Sequence, residues 1–119
     1  MDTADQRAET DEVFARLSRR YILPDSAPLG LQFVPSDGPS DRDAFVKAAE
    51  ALGYEAIWFP GEDEDDDAAG YLELERVISP VTADEIWRHE SLLTDLARVH
   101  GFIADGWGFL APLEEVGEA

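Results

Sequence analysis

The spacing of apolar side chains changes several times along the chain, and each change marks an element. Val13, Phe14, Leu17 and Tyr21 form a narrow helical stripe while Arg7, Glu9, Glu12, Arg16 and Arg19 fall largely elsewhere, so residues 1 to 21 read as a helix with a frayed start. Thr10 could cap a shorter version. Pro24 and Pro28 interrupt the chain, and the run from Leu29 to Val34 has the brevity and alternation of a strand stopped by Pro35. Beyond a turn-rich stretch, Ser40 and Asp43 resemble a capping pair ahead of Phe45, Val46, Ala49 and Leu52, with Gly53 as the stop. Residues 54 to 59 are aromatic and β-branched and end at Pro60-Gly61, which predicts a second strand. From Tyr71 to Ile78 the pattern alternates, with Leu72, Leu74 and Ile78 on one side and Arg76 interrupting that side. Thr82 with Glu85 is a capping box, and Ile86, Leu93, Leu96, Ala97 and His100 then recur on one helical face. Leu92 and Val99 widen that stripe, Gly101 ends it, and Phe102 to Ala104 form a short last strand running into residues 105 to 110.

The predicted order is helix, then strand, helix, strand, strand, helix, strand. Two strand-helix-strand halves are the content of a ferredoxin-like βαββαβ fold: an α+β domain with an antiparallel sheet, two helices on one face and an extra N-terminal helix. That extra helix has an apolar stripe to bury, and an edge or the open sheet face is the place for it. The length of 119 residues fits one domain, divided into a helix over 1–21, a core over 28–110 and a short acidic tail over 111–119.

Charge adds a different kind of information. Twenty-seven Asp and Glu oppose nine Lys and Arg, a net of −18, which argues against binding to a nucleic-acid backbone and makes basic partners the natural ones. Residues 61 to 119 hold 16 of the acids and only three of the bases, so the field is lopsided. Six acids, Glu62, Asp63, Glu64, Asp65, Asp66 and Asp67, stand in a row between the second and third strands. Like-charge repulsion at that density favours a solvated hairpin tip, and such a tip can capture an Arg-rich segment through salt-dependent attraction. A calcium loop is the weaker reading, because the row lacks the alternating ligands, central Gly and closing Glu of an EF-hand.

Catalytic chemistry is sparse. There is no cysteine, which removes disulfides, thiolate metal sites and cysteine nucleophiles and fits a reducing compartment. His89 and His100 are the only histidines, about 20° from one helical face but some three turns apart, so they cannot share a metal. His100 at a helix end is expected to meet the helix dipole or the last carbonyls. No phosphate loop, dinucleotide fingerprint or zinc-protease helix is present, and no cofactor or metal is expected. The N-terminus opens on charge without an apolar segment and no run suits a bilayer, so a cytoplasmic protein is the expectation.

One short segment stands apart. Asp105-Gly106-Trp107-Gly108 places a Trp between glycines, which implies a bulge or turn with the indole folded onto its neighbours. Together with Leu52-Gly53-Tyr54 leading into a strand and the helix ending near Leu96-Ala97, it resembles the family of regulator of ribonuclease E activity B over residues 28–110. The resemblance implies a ferredoxin-like domain without catalytic activity that binds the regulatory part of the endoribonuclease and lowers its RNA cleavage. The expected partner surface is then the acidic row at 62–67 with Asp105 and Trp107. This sequence departs from the best-known members in holding its dense acids in the hairpin loop, whereas its tail offers only Glu114, Glu115 and Glu118. Two other readings compete: a small-molecule- or metal-dependent enzyme using Asp105, His89 or open-face acids, and a dimerising structural module.

Overall fold

The first helix, α1, runs from Thr3 to Arg20 and passes directly into a two-residue strand, β1 (Tyr21–Ile22). The computed structural model describes residues 3–36, 39–60 and 70–115, with side chains from Asp5 onward. The remaining elements are β2 (Ala27–Pro35), α2 (Arg42–Ala51), β3 (Glu55–Phe59), β4 (Tyr71–Ile78), α3 (Ala83–Val99), β5 (Phe102–Phe109) and β6 (Glu114–Glu115). The result is a mixed α+β arrangement of three helices and two antiparallel sheets among the described residues.

The main sheet has the order β3-β4-β2-β5, and every neighbouring pair is antiparallel. Its register explains the alternation in the sequence. Leu29, Leu31 and Phe33 of β2 lie opposite Arg76, Leu74 and Leu72 of β4, and all three β2 side chains are buried. That face meets α2 through Phe45 and Ala49 and α3 through Ile86, Leu93 and Ala97, all fully buried. Phe45 is central, with Phe33 at 5.4 Å in an edge-on arrangement and Phe102 at 5.1 Å.

Arg76, which breaks the apolar alternation, sits at the rim of this face. Its Nη1 donates to the Leu52 carbonyl at 2.9 Å and its guanidinium lies 5.4 Å from the centre of the Tyr54 ring. A long side chain that covers apolar surface with its stem and keeps its charge at the edge satisfies the pattern without burying an ion.

The helix ends follow local chemistry. Thr82 accepts from the Glu85 N–H at 3.1 Å, as the capping box requires. The cap of α2 is Asp41, which accepts from the Ala44 N–H at 3.0 Å, one residue after the expected Ser40. Gly53 and Gly101 follow the two helices with φ of +97° and +80°. At Gly101 a β-carbon would stand 2.1 Å from the Pro39 carbonyl oxygen, so the position demands glycine twice over.

Several expectations change. Thr10 caps nothing; it lies within α1 and is 2% exposed. Tyr21 leaves the helical stripe for β1, which pairs with β6, so the acidic tail joins a second, two-stranded sheet. Leu92 and Val99 face solvent, because α3 covers the sheet with one face only and buries His89, Glu90 and Thr94 instead. The last strand continues to Phe109 rather than ending at Ala104.

Candidate partner-binding site

The segment 105–108 lies within β5, and its glycines keep that strand in register across an irregularity. Phe33 pairs with Ala104 while Gln32 pairs with Gly106, so Asp105 is the extra residue of a β-bulge. Gly106 takes a φ of +143°, open to glycine and strained for other residues. The bulge shifts the alternation by one. Phe102 and Ala104 point to the helix layer before it, and Trp107 and Phe109 do so after it, opposite Leu31 and Leu29. The two rings meet edge-on at 5.9 Å.

Trp107 carries a further contact. Its Nε1 donates to Thr10 Oγ1 at 3.4 Å, Thr10 Oγ1 donates to Glu90 Oε1, and Gln6 Nε2 donates to Glu90 Oε2 at 3.2 Å and to Thr94 Oγ1 at 3.1 Å. A buried polar seam therefore joins α1, α3 and β5, and Glu90 within it is only 6% exposed. Burial pushes the Glu90 carboxyl above its ordinary range, and the bonds from Thr10 and Gln6 oppose that rise. A cleft of about 440 Å³ opens beside this seam, with Arg98 and Asp105 at its margin. Its buried polar groups are bonded to one another. The extra helix thus docks against α3 and the β5 edge.

A second buried cluster looks superficially catalytic. The Tyr54 hydroxyl meets His89 Nδ1, and His89 Nε2 lies 3.1 Å from Glu85 Oε1, which Arg88 also engages. Tyr54 and His89 are each 4% exposed, too enclosed for a substrate. Burial raises the Tyr54 phenol and lowers His89, so the imidazole is neutral, accepts from the Tyr54 O–H and donates to Glu85. The cluster ties α3 to the start of β3. His89 and Asp105 do not converge: His89 faces Tyr54, whereas Asp105 stands on the opposite edge strand. His100 stacks on Phe45 with centroids 6.0 Å apart, so its ring packs where a helix-end contact was expected, while its backbone N–H closes the helix on the Ala97 carbonyl.

The sheet face away from the helices carries several acids and, among the described residues of its strands, no Lys or Arg. Glu55 pairs with Glu75, and Glu73 stands two residues along β4 on the same side. Burial raises the Glu75 carboxyl, and the neighbouring carboxyls of Glu73 and Glu55 raise it further. No group of three carboxylates or histidines among the described residues is arranged to hold a metal ion.

Of the expected partner residues, Glu62, Asp63, Glu64, Asp65, Asp66 and Asp67 lie outside the described residues. Asp105 is exposed at the bulge and Trp107 is half-buried under α1, so these two neighbours face different surroundings. Sequence reading missed the seam of Gln6, Thr10, Glu90 and Thr94. Its signal was a polar pair four residues apart on each of two helices, visible only once the helices are known to touch. No helix among the described residues is long and apolar enough to cross a membrane.

Comparison with known proteins adds the family. No curated protein matches the chain. The family model described as regulator of ribonuclease activity B matches residues 7–109, nearly the whole chain, and so includes most of α1 as well as the core. A match of that extent, carried across the bulged strand and the docked helix alike, makes this chain a member of the regulator of ribonuclease activity B family.

Proposed function

We propose that this protein is a non-catalytic cytoplasmic regulator that binds ribonuclease E and lowers its RNA-cleaving activity. The observation that carries the reading is the family match over residues 7–109. A ferredoxin-like core is supported by the element order and by the central places of β2 and β4 in the sheet. Capture of a basic, Arg-rich segment is supported by the net charge of −18 and by the acids at 62–67, whose field would steer such a segment from a distance. Direct RNA binding has no comparable support, because nine cations dispersed among 27 acids make no phosphate-binding surface. No cofactor enters this reading.

The test is a cleavage assay. Adding the purified chain to full-length ribonuclease E with a fluorescent RNA substrate should lower the rate in a dose-dependent manner, and the effect should weaken as salt rises. An enzyme lacking its regulatory part should be unaffected. Unchanged cleavage by the full-length enzyme at saturating protein overturns the reading. Replacing the six acids at 62–67 by their amides should weaken capture while circular dichroism stays the same; unchanged capture would remove that row from the binding surface.

A further inference from the structure

The cleft between α1, α3 and β5 holds about 440 Å³, room for a small organic molecule. Its inner wall is polar and has hydrogen-bonding capacity left over. Gln6 is 8% exposed and Thr94 7%. Gln6 Nε2 spends its hydrogens on Glu90 and Thr94, which leaves Gln6 Oε1 without a described donor and the Thr94 hydroxyl proton without a described acceptor. Among the described residues no fully buried side-chain nitrogen or oxygen lacks a partner, so Gln6 Oε1 is open to the cleft that its residue lines.

The outer wall carries both signs of charge. Arg98 stands in the last turn of α3 with its side chain 53% exposed, and its Nη1 reaches Asp95 only at 3.9 Å, the outer limit of an ion pair. Asp105, the extra residue of the bulge, and Glu9 of α1 line the same cleft. Ile103, at 50% exposure, and the half-buried indole of Trp107 supply its apolar surface.

This mixture discriminates among ligands. A purely cationic molecule sets its charge against Arg98, and a purely anionic one faces Asp105 and Glu9. A molecule with both charges close together answers both, and an apolar body is needed as well to cover Ile103 and Trp107. An amino acid with a large apolar side chain has that chemistry, offering a carboxylate to a planar guanidinium and an ammonium to carboxylate and carbonyl oxygens.

We infer that the cleft binds a free α-amino acid with a large apolar side chain, its carboxylate on Arg98, its ammonium on Asp105 and Gln6 Oε1, and its side chain against Ile103 and Trp107. Because α1, α3 and β5 each supply part of the lining, the bound molecule ties the extra helix to the core. Such a site stands whether or not the protein acts on a ribonuclease.

The probe is L-phenylalanine, titrated into the isotope-labelled full chain. Saturable shifts are expected at the amides of Thr94, Arg98, Ala104 and Gly106 and at the indole N–H of Trp107, with the indole N–H of Trp58 unmoved. Two analogues divide the charges: phenethylamine lacks the carboxylate and hydrocinnamate lacks the ammonium, and each should bind at least about tenfold more weakly. Arg98→Gln and Asp105→Asn, both at exposed positions, should each weaken phenylalanine binding about tenfold and leave the urea midpoint unchanged. The inference is overturned by the absence of a saturable shift at the cleft, by shifts confined to other surfaces, or by undiminished binding to either variant. Phenethylamine binding as tightly as phenylalanine overturns it too, since the cleft is then an acidic patch and nothing more.

Discussion

Glycine has opposite meanings at two positions of this chain. Gly101 ends α3 with φ of +80° and a carbonyl oxygen 2.1 Å from where its β-carbon would be, whereas the same construction at Gly108 meets nothing. Gly101→Ala should therefore cost about 3 kcal/mol or more, since backbone strain and a backbone clash add. Gly108→Ala should stay within about 0.5 kcal/mol, as a substitution into open space does. Urea denaturation of the two variants checks both, and comparable losses would contradict the geometry. The sequence offers the same letter at both places; only the surrounding backbone separates a structural glycine from one that leaves a surface bare.

At the scale of elements, α1 is attached by polarity as much as by apolar burial. Phe14 packs on the core, but Gln6 and Thr10 face Glu90 and Thr94 across the α1–α3 contact. Thr10→Val keeps the shape of the side chain and removes both the donor to Glu90 and the acceptor for Trp107, leaving a buried carboxyl short of one partner. We expect a loss of about 1–3 kcal/mol in chemical denaturation, with faster hydrogen exchange in α1 than in β2. Thr10→Ser retains the hydroxyl and should recover most of it. Equal exchange in α1 and β2 would mean that the seam does not anchor the helix. A hydrophobic stripe was enough to predict α1 from sequence, but its docking partner was not legible, because the residues that make the contact are polar on both helices and read as solvent-facing.

For the molecule as a whole, burial sets titrating groups against one another. His89 is held below its ordinary 6.5, first by burial and then by Arg88 and the more distant Arg76, against the opposing pull of Glu85. Its neutral form contributes stability that is fully present above pH 6.5 and is lost as pH falls through the lower folded value. Glu75 and Glu90 act with the opposite sign. Their folded values lie above the ordinary 4.5, so their contribution is present below that pH and is lost as pH rises through the raised values. His89→Gln stays neutral at every pH and isolates the first effect. The stability advantage of the unaltered chain over this variant, measured by denaturant at a series of pH values, should shrink from pH 7 to pH 5. A constant gap would show that His89 does not titrate in this window.

Length, apolar spacing and helix-stop signals were sufficient by themselves to determine most of the elements of this protein, its α+β class and its acidity. Those properties are local: a capping Thr, a positive-φ glycine after a helix or an alternating strand acts through near neighbours in the chain. The four residues 105–108 also carried the family resemblance. Tertiary structure alone decided that Asp105 is the extra residue of a bulge that turns Trp107 inward, that β1 and β6 pair, and that His89 braces Tyr54. It also decided that Glu73, one acid among several in an alternating strand, is 9% exposed and leans over Gly30. Each of these depends on which distant strand or helix lies opposite, and that pairing is set by collective burial of one sheet face rather than by any short stretch of sequence.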